Sequence, residues 1–269
     1  GGRIIYEEIM FAENGNANSY SGYETLPTAA ADVISAAEFN IKQYACPVVV
    51  SGLELLQNSG EEAVLDLVSA RLKAAEASMK NRICTDLYAD GTGNGSKNIT
   101  GLDLAVPITP TTGIYGGINR ATSTNAFWQS YVNDTNAVPA AATIQGHMNT
   151  AWSNLVRGAN RPKLILAEGT AWAAYMASLQ TLQRFAGVES ANLGFPSIKF
   201  MDADVVLDGG VGGNATTGTM YFINTDFLFF RPHRDRNMVS IGPKTRVSTN
   251  QDAETQILGW AGNLTCSNA

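Results

Sequence analysis

The chain has 269 residues, of which 45% are hydrophobic and only 16% are charged, and its formal net charge is −6. This composition indicates a folded protein with a sizeable core, and the acidic balance argues against a broad basic surface for nucleic-acid phosphates. The three cysteines, Cys46, Cys84 and Cys266, stand at unrelated spacings that match neither a disulfide framework nor a zinc site. No apolar run approaches the ~20 residues that a membrane helix requires.

The first two predicted strands form a long hairpin. Residues 3–13 are rich in Ile, Tyr and Phe, and residues 38–50 return as a second extended segment in which Pro47 indicates an edge strand. The Gly, Asn, Ser and Pro of residues 14–29 predict a turn-rich tip between them. An isolated hairpin is marginal in water, so this one must pack on another surface. That surface belongs either to its own domain or to a neighbouring subunit.

The longest predicted helix covers residues 60–89. Ser59 and Glu62 form a capping box, and apolar residues then recur at steps of three and four as far as Leu87. Two glycines, Gly91 and Gly93, predict its end. Such a helix would be ~45 Å long. We expect it to span a domain, because it lacks the flanking opposite charges of a coiled coil.

The middle of the chain predicts a compact unit of helices and strands. Residues 94–138 are rich in Gly, Thr and Asn and predict loops with short strands. A helix beginning at Pro139, a buried strand at 163–167 and a second helix at 170–186 follow, and residues 195–207 are again extended.

The last part of the chain predicts strands. A glycine-rich loop at 208–218 precedes them, and the strands are expected at 219–230, 237–248 and 252–266. In the last strand alternate apolar residues share one face: Leu258, Trp260, Leu264 and Cys266. The predicted fold class is α+β with one dominant helix.

Two patterns superficially resemble ligand-binding loops. The run Gly91–Lys97 has the order Gly-Ser-Lys and follows a helix, whereas a phosphate-binding loop needs Gly-Lys-Ser/Thr between a strand and a helix. Asp202, Asp204 and Asp208 do not have the spacing of a calcium loop. We therefore interpret the first run as a helix stop and the second as the end of a strand.

The histidines give no sign of catalysis. His147 and His233 are the only two, and neither has a Cys or Asp at metal-ligand spacing or a Gly-x-Ser-x-Gly elbow in the sequence. The sequence therefore predicts no catalytic residue, no metal site, no cofactor and no enzymatic activity.

Two groups of residues are candidates for contacts between subunits. Arg231, Arg234 and Arg236 cluster in one turn, which is either simply solvated, pairs with acids of another subunit, or contacts DNA. Aromatic residues crowd the hairpin, which strand propensity and an interface explain equally well. The predicted interface residues are Glu13, Asn14, Tyr20, Tyr23, Arg231, Arg234 and Arg236.

The order of these elements resembles the major capsid proteins of tailed bacteriophages, whose Hong Kong 97-type fold is shared with encapsulin shells. The resemblance is carried by residues 51–88 running into DGTG (90–93), GLDLAV (101–106), TTGIYGGINRAT (111–122) and residues 234–268. It implies an N-terminal segment and extended hairpin loop (1–51), a peripheral domain with a spine helix (52–103), an axial domain (104–218) and return strands that complete the peripheral domain (219–269).

The resemblance also implies a function. The chain would be a virion subunit that forms hexamers and pentamers of an icosahedral head around double-stranded DNA, assembled in the host bacterial cytoplasm. Its partners would be further copies of itself, then scaffolding, portal and decoration proteins, with packaged DNA nearby and no membrane. We expect the hairpin to lack a core of its own and to find its packing surface on the next subunit.

Two alternatives remain open at this point. One is an encapsulin-like compartment that encloses cargo protein instead of DNA. The other, from a different class, is a soluble hydrolase or ligand-binding domain with a cleft beside residues 208–218.

Overall fold

A computed structural model of the chain has a mixed helix and sheet fold. It describes residues 3–57, 67–135, 138–180, 198–208, 213–246 and 251–269. The described residues contain two four-stranded sheets, each packed against helices, and two two-stranded hairpins. The two larger sheets meet in a core that includes Leu264 and Tyr221, and the N-terminal hairpin packs on the first of them in a separate core.

The hairpin is formed by β1 (Ile4–Met10) and β2 (Ile34–Asn40), which pair antiparallel from Ile4 opposite Asn40 to Met10 opposite Ile34. We call β1, residues 11–33 and β2 together the arm, and residues 11–33 its tip. The segment predicted as extended at 38–50 is in strands except at residue 41, but its pairing as one arm of the hairpin is wrong, because the pairing with β1 ends at Asn40 and the following strand joins another sheet. The sequence did not indicate the strand that pairs with β1, because that strand, ISAAEFN, has several short side chains and weak strand propensity.

The first four-stranded sheet is built around β12 (Ala253–Cys266). Strand β3 (Lys42–Ser51) pairs along one side, while β11 (Val239–Arg246) and β10 (Leu228–Pro232) share the other. Among the described residues β3 pairs with β12 alone, so the edge position predicted from Pro47 is confirmed. The four apolar residues predicted to share a face of β12 are all buried.

A long helix lies on this sheet. After α1 (Gly52–Gln57), helix α2 (Leu67–Leu87) packs Met79 and Ile83 against Leu258 and Trp260 of β12. The predicted apolar face is therefore confirmed for the described part of the helix, which ends two residues before the predicted position. The predicted capping box at 59–62 lies outside the described residues.

The second four-stranded sheet has the order β7-β8-β6-β9. Strand β6 pairs parallel with β8 and antiparallel with β9, and β7 pairs antiparallel with β8. One helix follows β6 and another precedes it, and both contribute to a core around Ile165, Tyr175 and Phe200. The elements are α5 (Ile144–Leu155), β6 (Leu164–Ala167), α6 (Gly169–Gln180), β7 (Ile198–Phe200), β8 (Ala203–Leu207) and β9 (Met220–Ile223).

Two predictions in this region differ from the structure. The helix expected from Pro139 begins at Ile144, because Thr143 and Ile144 donate their N–H groups to the Ala140 carbonyl in a turn. Of the extended segment predicted at 195–207, residues 198–207 are a tight β7–β8 hairpin that turns at Met201 with a φ of 53°, and residues 195–197 lie outside the described residues. The predicted helix at 170–186 is described as far as Gln180.

The strand expected at 219–230 is two strands in different sheets. A turn separates them, in which the Asn224 side chain accepts from the Asp226 N–H and its carbonyl from the Phe227 N–H. As a result, β9 belongs to the sheet of β6 and β8, whereas the resemblance implies that it is one of the return strands (219–269).

The residues between α2 and α5 form short elements, as expected. They are α3 (Gly93–Ser96), α4 (Leu102–Ala105), β4 (Ile114–Tyr115), β5 (Ile118–Asn119) and a 3₁₀ helix (Ser123–Trp128). Tyr115 and Trp128 pack under the arm, so this part of the segment assigned to the axial domain contacts the arm.

Candidate functional site

The base of the arm is packed on its own chain. Ile9, Ala37 and Phe39 are buried in a core with Tyr115 and Trp128, and the Phe39 and Tyr115 rings meet edge to face at 5.3 Å. The expectation that the arm lacks a core of its own is therefore wrong for β1 and β2. Their alternate apolar residues face the β4–β5 hairpin and the 3₁₀ helix.

An ion pair between a buried carboxylate and a partly exposed arginine also fixes the base. The carboxylate of Glu7 in β1 accepts from Arg231 Nε and Nη2 and from Thr265 Oγ1 at 2.8 Å. The Arg231 guanidinium also lies 4.7 Å from the centre of the Phe229 ring. Arg231, predicted for contacts between subunits, thus has its described charge partner within the same subunit.

The tip of the arm is exposed and has no regular secondary structure. The side chain of Tyr20 is 67% exposed, and that of Tyr23 is fully exposed. Local contacts shape the tip, such as the Asn14 side chain accepting from the Asn16 N–H. Glu13 lies 3.4 Å from Arg157 at the end of α5, but both side chains are 89% exposed, so this pair contributes little stability. All four predicted interface residues of the hairpin lie on this open segment.

The remaining two predicted interface residues lie in the turn after β10. Arg234 and Arg236 are exposed, and no ion pair of the described ranges engages either guanidinium. The turn is held by its backbone, since the His233 N–H donates to the Ala261 carbonyl and the Ala261 N–H donates to the Arg236 carbonyl. The two side chains are therefore presented to solvent by a fixed loop.

Sequence reasoning missed a buried arginine between the arm and the first sheet. Arg120 is 1% exposed, and its guanidinium donates to the carbonyls of Trp128, Leu104 and Ala105 at 2.7 to 2.9 Å. It also lies 4.9 Å from the centre of the Tyr115 ring. Burial lowers the pKa of Arg120. Its sequence context, a glycine-rich turn, carries no signal of this role.

A second missed network joins α2 to β3. The buried Asp86 carboxylate accepts from Tyr44 Oη at 2.8 Å, from Asn98 Nδ2 at 3.0 Å and from Arg82 Nε at 3.1 Å. Burial raises the pKa of Tyr44, which keeps its hydroxyl protonated as a donor. The Tyr44 oxygen in turn accepts from the Ile99 N–H.

The three aspartates whose spacing superficially resembles a calcium loop each interact with a different partner. Asp202 pairs with Arg161, Asp204 lies 3.7 Å from Lys199, and Asp208 accepts from the backbone N–H groups of residues 214 and 215. In the part of the chain that the structure describes, no three His, Cys, Asp or Glu side chains converge as a metal site would require. The described helices also include none long and apolar enough to cross a membrane.

Comparison with known proteins gives a fold and no sequence family. No family model and no curated protein matches the sequence. The fold is similar to the capsid asymmetric unit of cyanophage A-1(L), with a TM-score of 0.65 and 16% identity over 98% of this chain and 85% of that one. It is also similar to the capsid of a native GTA particle (TM-score 0.54, 11% identity, 100% and 82% covered) and to the capsid of Myoviridae phage XM1 (TM-score 0.54, 13% identity, 98% and 82% covered).

These likenesses extend over nearly the whole chain. The chain therefore has the mixed helix and sheet fold found in phage capsid structures.

Proposed function

We propose that the chain is the major capsid protein of a tailed bacteriophage, a structural subunit with a Hong Kong 97-type fold. The observation that carries the proposal is the full-length likeness to a cyanophage capsid, with 98% of the chain aligned at a TM-score of 0.65. A shared local motif could not give such coverage, since both sheets, the long helix and the arm must correspond.

The exposed tip supports this proposal. Residues 11–33 bury almost none of their side chains, including Tyr20, Tyr23 and Leu26. Ordering such a segment costs conformational entropy that its own contacts do not offset. A neighbouring subunit supplies the missing surface, and the same contact repeated around closed rings of subunits produces a stable shell from individually weak interactions.

In this proposal the two sheets belong to two parts of one subunit. The β3-β10-β11-β12 sheet with α2 forms the peripheral domain, and the β6–β9 sheet with α5 and α6 forms the axial domain near the centre of each hexamer or pentamer. The boundary falls after Ile223, because β9 pairs with β6. The subunit performs no catalysis, and its partners are first of all copies of itself.

The test is the assembly state of the expressed chain. We expect closed particles, seen by negative-stain electron microscopy and as a fast-sedimenting species in analytical ultracentrifugation. Single molecules over a wide range of protein and salt concentrations, together with a thermal shift on adding a small ligand, would instead favour a ligand-binding domain or hydrolase.

The contents of the particles distinguish a virus head from a compartment. A capsid recovered from infected cells contains nuclease-protected double-stranded DNA, whereas an encapsulin-like shell contains a co-purifying protein. Nuclease digestion of intact particles, followed by extraction and gel analysis of DNA and protein, separates the two outcomes.

A further inference from the structure

An open cleft lies at the base of the arm, where the chain passes from β2 to β3. It has a volume of about 370 Å³ and is lined by Arg3, Lys42 and Lys97, together with Asn40, Gln43 and Ser96. Lys42 Nζ donates to the Ser96 carbonyl, which fixes one ammonium group at the wall. We call this the basic cleft.

The basic cleft has no counter-charge of its own. No carboxylate lines it, and within the described ranges no ion pair engages its three cationic side chains. Three like charges on a chain of net charge −6 repel one another locally unless an anion lies between them. The cleft therefore favours an acidic ligand.

The tip of the arm has the complementary charge. Residues 11–33 contain three carboxylates, Glu13, Glu24 and Asp32, and no Lys or Arg. Glu24 accepts from the local Ser21 N–H, and no ion pair within the described residues involves Glu24 or Asp32. Among the residues that the structure describes, two of the three tip carboxylates thus have no cationic partner, and the three cations of the cleft have no anionic partner.

The two surfaces lie at opposite ends of the same hairpin. Arg3 precedes β1, and the tip follows it after seven residues, a strand length of ~23 Å. The tip points away from the base, and the one ion pair of its described side chains joins Glu13 to Arg157, two residues after the end of α5. Contact between tip and cleft therefore requires two copies of the chain.

We propose that the basic cleft of one subunit receives the acidic tip of the arm from a second copy. This inference rests on the proposed function and names the surface on which the tip docks. Packaged DNA is less well matched to the basic cleft than the acidic tip is. Proteins that bind the phosphates of duplex DNA have many cationic side chains along one face, whereas this cleft has three.

Charge reversal tests the contact. The variant Arg3→Glu/Lys97→Glu places two acids in the cleft while leaving the structural Lys42 intact, and Lys73→Glu makes a charge reversal at an exposed lysine of α2 as the control. Because like charges then face each other, we expect the yield of closed particles to fall about tenfold or more for the cleft variant and to stay near that of the wild type for the control. Circular dichroism and thermal unfolding verify that both variants fold.

A charge swap gives the decisive measurement. Adding Glu24→Lys/Asp32→Lys to the cleft variant restores opposite charges, so we expect the combined variant to recover most of the wild-type yield. Failure of the swap to rescue, or equal yields of the cleft variant and the control, would overturn the inference while leaving the proposed function intact.

Two further outcomes are also distinguishable. If the cleft variant assembles normally but binds duplex DNA more weakly than the wild type, the basic cleft binds nucleic acid and not the tip. A wild-type chain that never assembles would overturn the proposed function, and this inference with it.

Discussion

Arg120 has a charged side chain in the interior whose described partners are backbone carbonyls. Its Nε, Nη1 and Nη2 atoms donate to carbonyls at the end of α4 and in the 3₁₀ helix. The guanidinium group also lies over the ring of Tyr115. A charge can be buried only when its hydrogen-bonding capacity is used, and here the fixed fork of the guanidinium joins two segments that do not otherwise pair.

We therefore expect Arg120→Met to destabilise the subunit strongly. Methionine fills much of the volume but leaves three buried carbonyls without donors, which costs about 3 kcal/mol of unfolding free energy or more. Urea unfolding of unassembled subunits measures this cost. The control is Arg161→Met, which removes only a half-exposed pair with Asp202 and should change stability by about 0.5 kcal/mol or less. Equal effects of the two substitutions would contradict the role given to Arg120.

At the scale of elements, the β4–β5 turn forms the support of the arm. Gly116 and Gly117 have φ values of 57° and 77°, as a two-residue hairpin turn requires. Only Gly116 touches the arm closely, because a Cβ there would lie 2.8 Å from Ala37 Cβ and 3.1 Å from Phe39 Cζ. The Glu38 N–H also donates to the Gly116 carbonyl at 2.9 Å.

The two glycines form a matched pair for substitution. Alanine at either position strains the backbone, but at Gly116 it also pushes β2 away from its core. We expect Gly116→Ala to destabilise the subunit by about 1–3 kcal/mol more than Gly117→Ala, whose Cβ would meet Glu38 Cβ at an ordinary 3.8 Å. Chemical denaturation of both variants checks the difference, and indistinguishable midpoints would mean that the arm base is not held at this turn.

At the scale of the whole molecule, the arm has two parts with different tasks. Its base is fixed to the subunit by the buried Ile9 and Phe39 and by the Glu7–Arg231 pair, while its tip remains exposed. A rigid base sets the direction in which the tip leaves the subunit. In our proposal this direction determines which neighbour the tip reaches.

Deleting residues 14–27 separates these two tasks. Because the deleted residues bury almost no side-chain surface, we expect the unfolding free energy to change by about 1 kcal/mol or less. Assembly should nevertheless fail, leaving small oligomers or single subunits in electron micrographs and in sedimentation. Normal shells from this variant would contradict the bridging role of the tip.

Local patterns in the sequence were sufficient for several elements. The helical periodicity placed the apolar face of α2, alternation placed β12, and the missing N–H of Pro47 indicated an edge strand. Each of these signals lies within one segment, so no knowledge of its partner was needed. The open tip was also predictable, because its turn residues disfavour regular pairing.

Partners distant in the sequence were decided only by the tertiary structure. Glu7 and Arg231 are 224 positions apart, and nothing near either residue indicates the other. The division of 219–230 between two sheets and the burial of Arg120 depend in the same way on which segments meet. The sequence alone therefore determined the three long helices, several strands and the turn-rich tip, because hydrophobic periodicity and turn preference are local. Which subunit holds the base of the arm depended on contacts between distant segments, and these have no local pattern.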